Sequence, residues 1–114
     1  MSPPEHGVLV RAEGGILRIV IDRPDRKGSL DVAAVRRMVE TLEGAATDDA
    51  LRAVLLTSAG PDFCSGSDWV ASNASGAKPR TGSVQRRTPL QAHRLVSLLL
   101  EVQLPVVCAV RGWA

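Results

Sequence analysis

The chain has 114 residues, of which 45% are apolar, and its mean hydropathy is close to zero. These values are typical of one soluble globular unit and exclude a second domain of ordinary size. No apolar run is long enough to cross a bilayer, and the first six residues are polar. We therefore expect a cytoplasmic protein without a signal peptide.

The net charge of +2 is unevenly distributed along the chain. Between Asp68 and Glu101 there are several basic residues and no acidic one. This basic segment is either a solvated, flexible loop or a binding segment. It lacks the interleaved aromatic residues of single-strand binders, so a phosphate-bearing small molecule fits it better than nucleic acid.

The two cysteines, Cys64 and Cys108, do not have the spacing of metal ligands. Two cysteines in a chain of this length also do not indicate a disulfide scaffold. We predict that both are buried free thiols.

The amino-terminal part of the chain predicts a hairpin followed by a helix. Residues 8–12 and 16–21 are rich in β-branched side chains and are separated by Glu-Gly-Gly, a hairpin signal. After a polar stretch, Asp31 is the predicted cap of a helix that Gly44 ends. The apolar positions of this helix recur at helical spacing: Val32, Val35, Met38, Val39 and Leu42.

The remaining chain predicts a strand, a loop, a helix and a strand. The continuous apolar run at 53–58 is typical of a parallel strand covered on both faces. Residues 71–87 lack periodicity, and we expect a mobile basic loop there, in the manner of a lid. Thr88 is the predicted cap of the next helix, with Pro89 in its first turn. Residues 105–110 predict a last strand, which no later element covers.

This order of elements indicates an α/β fold with a largely parallel sheet, in which ligands bind at the carboxyl ends of the strands. Residues 63–69, Phe-Cys-Ser-Gly-Ser-Asp-Trp, lie at such an end, and residues 112–114 lie at another, so both loops should face one pocket. The small side chains of the first loop let a ligand approach its peptide N–H groups. Trp69 and Trp113 either line this pocket or pack in the core.

Four segments carry a family resemblance: residues 22–26 (Asp-Arg-Pro-Asp-Arg), 48–57, 63–69 and 104–114. In this order and spacing, they resemble the enoyl-CoA hydratase/isomerase, or crotonase, family over nearly the whole chain. The resemblance implies a crotonase-like α/β fold of repeated β-β-α units. Residues 1–114 would then be an incomplete, amino-terminal half of that domain.

The resemblance also implies a pocket for acyl-coenzyme A thioesters. In the family, two backbone N–H groups bind the thioester oxygen and stabilise an enolate, and the matching donor here is the N–H of Ser67. Fixed donors aimed at developing negative charge are effective catalysts. The Ser67 side chain is not expected to react, and neither His6 nor His93 has a placement that suggests the base of a serine hydrolase.

By the same resemblance, Arg26, Gly28 and Ser29 fall in the segment that contacts coenzyme A. Arg26 keeps a charge suited to phosphate, or is simply an exposed charged turn, and Gly28 replaces the usual Asn. In the second loop, Ser65 and Trp69 replace residue types common in the family and are expected to reshape the acyl pocket. Gly66 completes the loop, and Asp68 is expected to order it rather than to carry a proton.

The family's second donor and its catalytic glutamates would follow Ala114. We therefore expect the 114-residue chain alone to be inactive and of low stability. The favoured hypothesis is the amino-terminal part of an acyl-CoA hydratase or isomerase of fatty acid metabolism, most simply an enoyl-CoA hydratase. The alternative is a non-catalytic fragment that binds coenzyme A or assembles with related subunits.

The resemblance implies few further partners. We expect no metal and no cofactor apart from the coenzyme A of the substrate, and no nucleic acid or membrane partner. The complete domain would form a homo-oligomer, a trimer or hexamer. A nucleotide-binding domain has little support, because the chain has neither a Gly-x-Gly-x-x-Gly run nor a Gly-Lys-Ser/Thr loop.

Overall fold

The structure is a computed structural model that describes residues 6–66, 82–112 and 114. Its strands are β1 (Val8–Glu13), β2 (Ile16–Ile21), β3 (Ala53–Ser58) and β4 (Val106–Cys108). Its α-helices are α1 (Val32–Ala45) and α2 (Gly82–Glu101), and a short 3-10 helix spans Pro24–Arg26.

The four strands form one sheet in the order β1-β2-β3-β4. β1 and β2 pair as an antiparallel hairpin, whereas β2, β3 and β4 are parallel. Gly14 and Gly15 form the hairpin turn with φ values of +59° and +82°, a conformation that matches the twist of the strands and that glycine adopts readily. The predicted hairpin and the α/β fold with a largely parallel sheet are confirmed.

The hydrophobic core lies on one face of this sheet, beneath the two helices. Alternate residues of the central strands point into it, and α1 and α2 contribute the opposite layer. Its most buried members are Val8, Leu17, Ile19, Met38, Leu42, Val54, Leu56, Leu95 and Leu98. Arg94 Nε of α2 also lies 3.5 Å from Glu43 Oε1 of α1, so the helices meet through both apolar and charged contacts.

The other face of the sheet is much more exposed. Ile16 retains 40% of its accessible surface and Val107 retains 56%. In β3, Val54, Leu56 and Ser58 are buried while the residues between them are only partly buried. The prediction that β3 is covered on both faces is therefore wrong for the described chain, because no described element packs on the second face.

Asp31 begins α1 as predicted. Its Oδ1 accepts a hydrogen bond from the Ala34 N–H at 2.8 Å, and its Oδ2 lies 3.1 Å from Arg23 Nη1. The prediction that Gly44 ends the helix is wrong, because α1 continues to Ala45, whose side chain is buried in the core. Burial of this last residue outweighs the low helix propensity of glycine.

The predicted start of α2 at Thr88 and Pro89 is also wrong. The helix begins at Gly82, so the mobile loop predicted at about 71–87 is too long at its carboxyl end. Residues 83–87 contain no proline and no glycine, so their local sequence permits a helix upstream of Pro89. The mobility predicted for residues 71–81 concerns a segment outside the described residues.

The last strand is shorter than predicted, and the cysteines are less buried than predicted. β4 spans three residues rather than six, because it pairs only with the 54–56 segment of β3. Both cysteines are free, as predicted, but Cys64 is only partly buried and Cys108 is exposed. Cys108 is exposed because it lies on a strand that has a single described neighbour.

Candidate functional site

Residues 59–66 follow β3 at the carboxyl edge of the parallel sheet and form the loop with the predicted chemistry; we call them the β3 loop. The segment after β2 and the segment after β4 leave the sheet at the same edge, because all three strands run in one direction. Ligands of α/β proteins collect at this edge. The contacts of the β3 loop with its two neighbours therefore define the candidate site.

Gly28 lies against the β3 loop from the β2 side. Its φ is +69°, and a Cβ built on it would lie 2.5 Å from the carbonyl oxygen of Phe63. The backbone here is also tightly turned, since the Gly28 N–H donates to Arg23 O at 2.9 Å. Two separate features therefore require glycine at this position: the positive φ of its backbone and the close approach of two main chains.

Leu30 makes the second contact from this side. Its N–H donates to the carbonyl oxygen of Gly66 at 2.8 Å. At the start of the same loop, a Cβ built on Gly60 would lie 2.9 Å from the Cβ of Pro24. The two segments that sequence reasoning selected for coenzyme A and for the thioester are thus brought together by main-chain contacts.

Arg111 and Gly112 hold the β3 loop from the β4 side. Arg111 O accepts a hydrogen bond from the Phe63 N–H at 2.7 Å. Its guanidinium Nη2 donates to the carbonyl oxygens of Ser58 and Gly60, each at 3.2 Å. Gly112 has a φ of +61° and packs against Pro61 and Asp62. The described residues of the loops after β3 and β4 are thus in contact, while the prediction that both loops face one ligand pocket stays a prediction.

Sequence reasoning missed the role of the Arg111 side chain. Arg111 lies 53 positions after Ser58 and 51 positions after Gly60 in the sequence. A charged residue directly after an apolar strand is a weak signal by itself. Only the parallel pairing of β3 with β4 identifies the carbonyls that it reaches.

The predicted site residues fall into three groups. Arg26 ends the 3-10 helix and is exposed, as are Ser65 and Gly66 of the β3 loop. Gly28 and Ser29 are buried, Ser29 with 7% of its surface accessible. Ser67, Asp68, Trp69 and Trp113 lie outside the described residues. The assignment of an oxyanion donor to the Ser67 N–H stays a prediction.

Other features of the described chain do not compete with this site. A cavity of about 180 Å³ beside α1, lined by residues that include His6, Arg36 and Glu40, contains none of the predicted site residues. Within residues 6–66, 82–112 and 114, no three His, Cys, Asp or Glu side chains are grouped as a metal site would require. No helix in these ranges has the length and apolar character needed to cross a membrane.

An antiparallel hairpin followed by parallel strands, with both helices on one face of the sheet, defines a mixed α/β fold whose first three main elements form a β-β-α unit. A profile of the Enoyl-CoA hydratase/isomerase family matches residues 11–114. The chain belongs to this family.

Two curated relatives illustrate the similarity in sequence. The chain is 34% identical over 110 residues to "1,2-epoxyphenylacetyl-CoA isomerase" of Escherichia coli K12, covering 94% of this chain and 40% of the relative. It is 28% identical over 106 residues to "Enoyl-CoA delta isomerase 2" of Rattus norvegicus, covering 93% of this chain and 26% of the relative.

Solved structures support the same conclusion for the fold. An enoyl-CoA hydratase from Mycobacterium avium subsp. paratuberculosis K-10 has a TM-score of 0.75 at 28% identity, covering 97% of this chain and 41% of its own. An enoyl-CoA hydratase/isomerase from Xanthobacter autotrophicus Py2 has a TM-score of 0.81 at 26% identity, covering 93% and 39%. The chain thus spans about 40% of these structures, and the predicted incomplete crotonase-like fold is confirmed.

Proposed function

We propose that this chain forms the first part of the acyl-CoA pocket of an enoyl-CoA hydratase/isomerase, in which the peptide N–H that follows Gly66 binds the thioester carbonyl oxygen. One observation carries the proposal. The carbonyl of Gly66 is held by the Leu30 N–H at 2.8 Å, at the carboxyl edge of the sheet.

This hydrogen bond bears on the donor through the geometry of the peptide group. A peptide is planar and almost always trans, so its N–H points opposite to its C=O. Because the Gly66 oxygen faces the Leu30 N–H, a trans peptide would direct the N–H of Ser67 the opposite way, and we propose that this N–H donates to the thioester oxygen. A donor fixed before the ligand arrives needs no reorganisation during the reaction.

The same arrangement supports a role for the segment after β2 in binding the coenzyme A part. Arg26 is exposed at the end of the 3-10 helix, on the segment that contacts the β3 loop, and its guanidinium suits a phosphate. The N–H groups of Gly28 and Ser29 donate to Arg23 O and Arg26 O, so we propose that these two residues contact coenzyme A through their carbonyl groups. We propose that Ser65 and, by the family resemblance, Asp68 and Trp69 contact the acyl group.

Hydration and double-bond isomerisation of enoyl-CoA thioesters both place negative charge on the carbonyl oxygen. A hydrogen-bond donor at that oxygen stabilises either transition state, typically by about 2.7–4 kcal/mol for one donor. Within this shared chemistry, we propose enoyl-CoA hydration as the reaction of the complete protein. Its direct test is the loss of the ultraviolet absorbance of crotonyl-CoA when water adds to the conjugated double bond, measured on the longest natural form of the protein.

Binding by the 114-residue chain tests carbonyl recognition separately from turnover. We expect crotonyl-CoA to bind about tenfold more tightly than its thioether analogue, in which a methylene group replaces the carbonyl, because one hydrogen bond contributes roughly 1.4 kcal/mol. Isothermal titration of both ligands and of free coenzyme A gives the three dissociation constants. Equal affinities would contradict carbonyl recognition and favour a coenzyme A binding role, while no binding would favour an assembly role.

A matched pair of arginine variants controls this titration. Arg26→Gln should lower the affinity for all three ligands by a similar factor. It removes a charge from the proposed coenzyme A side and leaves the peptide N–H donor in place. Arg18→Gln makes the same change on an exposed β2 residue outside the site and should leave all three affinities unchanged. Equal effects of the two variants would mean that Arg26 acts only through net charge.

A further inference from the structure

We propose that Arg111 is a positioning residue for the β3 loop, and that its guanidinium sets the location of the peptide that recognises the thioester. This inference rests on the proposed function, because it assigns Arg111 a part in that same recognition. Arg111 touches neither the thioester nor the Gly66 peptide in this account. It acts through the backbone that leads from β3 to Gly66.

Arg111 binds two carbonyl groups at the point where the chain leaves β3. Ser58 is the last residue of β3, and Gly60 is the second residue beyond it. A single nitrogen, Nη2, lies 3.2 Å from both oxygens. The guanidinium therefore spans the point where the chain leaves the sheet and fixes the direction in which the loop starts.

The backbone of Arg111 also contacts the β3 loop. Arg111 O accepts from the Phe63 N–H at 2.7 Å, so one residue holds the loop both at its start and at its middle. Hydrogen bonds from a guanidinium are charge-assisted and stronger than those between neutral groups. Replacing the side chain would keep the Phe63 contact and the hydrogen bond from the Ala59 N–H to Ile21 O, but it would remove both side-chain hydrogen bonds at the start of the loop.

The segment after β2 contacts the β3 loop on the side opposite Arg111. Gly28 and Leu30 contact Phe63 and Gly66 from the β2 side. The loop is therefore held between two backbone segments, and its position depends on both. Loss of the Arg111 side chain should let the loop move relative to Leu30, which would weaken selection of the carbonyl while leaving the coenzyme A segment intact.

The test measures the dissociation constants of crotonyl-CoA, its thioether analogue and free coenzyme A for Arg111→Met, with Arg52→Met as control. Arg52 directly precedes β3, so the control makes the same change near the amino end of that strand, whereas Arg111 contacts its carboxyl end. We expect R111M to reduce the preference for the thioester from about tenfold to about twofold, with the affinity for free coenzyme A unchanged. R52M should keep the preference.

Arg111→Lys provides the rescue, because an ammonium group has enough donors for both carbonyls and should retain most of the preference. A full tenfold preference in R111M would overturn the inference. If R111M does not fold, Arg111→Gln takes its place in the titrations. A thioester preference between twofold and tenfold in this variant would support the inference, and a full tenfold preference would contradict it. Absence of the preference in the unsubstituted chain would instead contradict the proposed function itself.

Discussion

Replacing Gly28 by alanine should lower the free energy of unfolding by about 2–4 kcal/mol. A left-handed backbone conformation costs an alanine roughly 1–2 kcal/mol, and the new Cβ would meet the Phe63 carbonyl oxygen, which lies 2.5 Å from its ideal position. One of the two main chains must then move. Chemical denaturation, followed by circular dichroism, gives the change in stability.

Gly14→Ala is the matched control for this variant. Gly14 has a φ of +59°, close to the +69° of Gly28, but apart from its two chain neighbours no residue has an atom within 4 Å of its added Cβ. The control therefore measures the conformational cost alone, which we expect to be about 1 kcal/mol. If the two variants lose the same stability, the approach of the β2 segment to the β3 loop is not as close as the structure indicates.

Replacing Ile19 by alanine should cost about 3–4 kcal/mol, because its side chain is fully buried between β1 and β3 in the core layer. Ile16→Ala removes the same atoms from the same strand, but Ile16 is 40% exposed and lies on the other face. We expect this control to cost less than about 1 kcal/mol. Denaturant titrations of both variants provide the comparison.

This pair of isoleucine variants also reports on the open face of the sheet. If Ile16→Ala destabilises the chain as much as Ile19→Ala, the account of a single covered face is wrong for the protein in solution. Repeating the titration over a range of protein concentrations would then show whether a second copy covers that face, because association makes apparent stability depend on concentration.

The elements that the sequence predicted well have strong local signals. The hairpin depends on two adjacent glycines between β-branched runs, and the start of α1 depends on Asp31, whose carboxylate reaches a backbone N–H three residues away. Interactions of this range lie within the sequence window that a pattern describes. They could therefore be placed to within a residue.

The elements that the sequence predicted poorly depend on tertiary contacts. Gly44 and the Thr88-Pro89 pair are valid local signals for a helix end and a helix start, but burial of Ala45 and helix formation upstream of Pro89 override them. In both cases the helix extends beyond the local signal. Local signals show where a helix can end, whereas packing and hydrogen bonding determine where it does.

The candidate site shows the same division. The sequence selected the β3 loop and the segment around Gly28, and the structure brings these two segments into contact. The sequence did not predict why a glycine is needed at position 28, which is the close approach of the Phe63 carbonyl. It also did not predict the hydrogen bonds from the Arg111 side chain to the carbonyls of Ser58 and Gly60. Both depend on the pairing of strands that are distant in sequence.

The described contacts make the β3 loop well suited to present a peptide donor. Its neighbours hold it mainly through main-chain groups, which have fewer degrees of freedom than long side chains. Binding sites perform best when supporting contacts fix the groups that touch the ligand. This support is what the proposed function requires of residues 59–66.

The central claim, that the loop donates a hydrogen bond to a thioester carbonyl, is tested most directly by isotope-edited infrared spectroscopy. Crotonyl-CoA labelled with ¹³C at the thioester carbonyl is compared with the unlabelled ligand, each bound to the protein, so that the difference spectrum isolates the carbonyl stretch. We predict that this band lies at lower frequency in the bound ligand than in solution, because a hydrogen bond weakens the C=O bond. A bound ligand whose carbonyl band stays at its solution frequency would contradict the account.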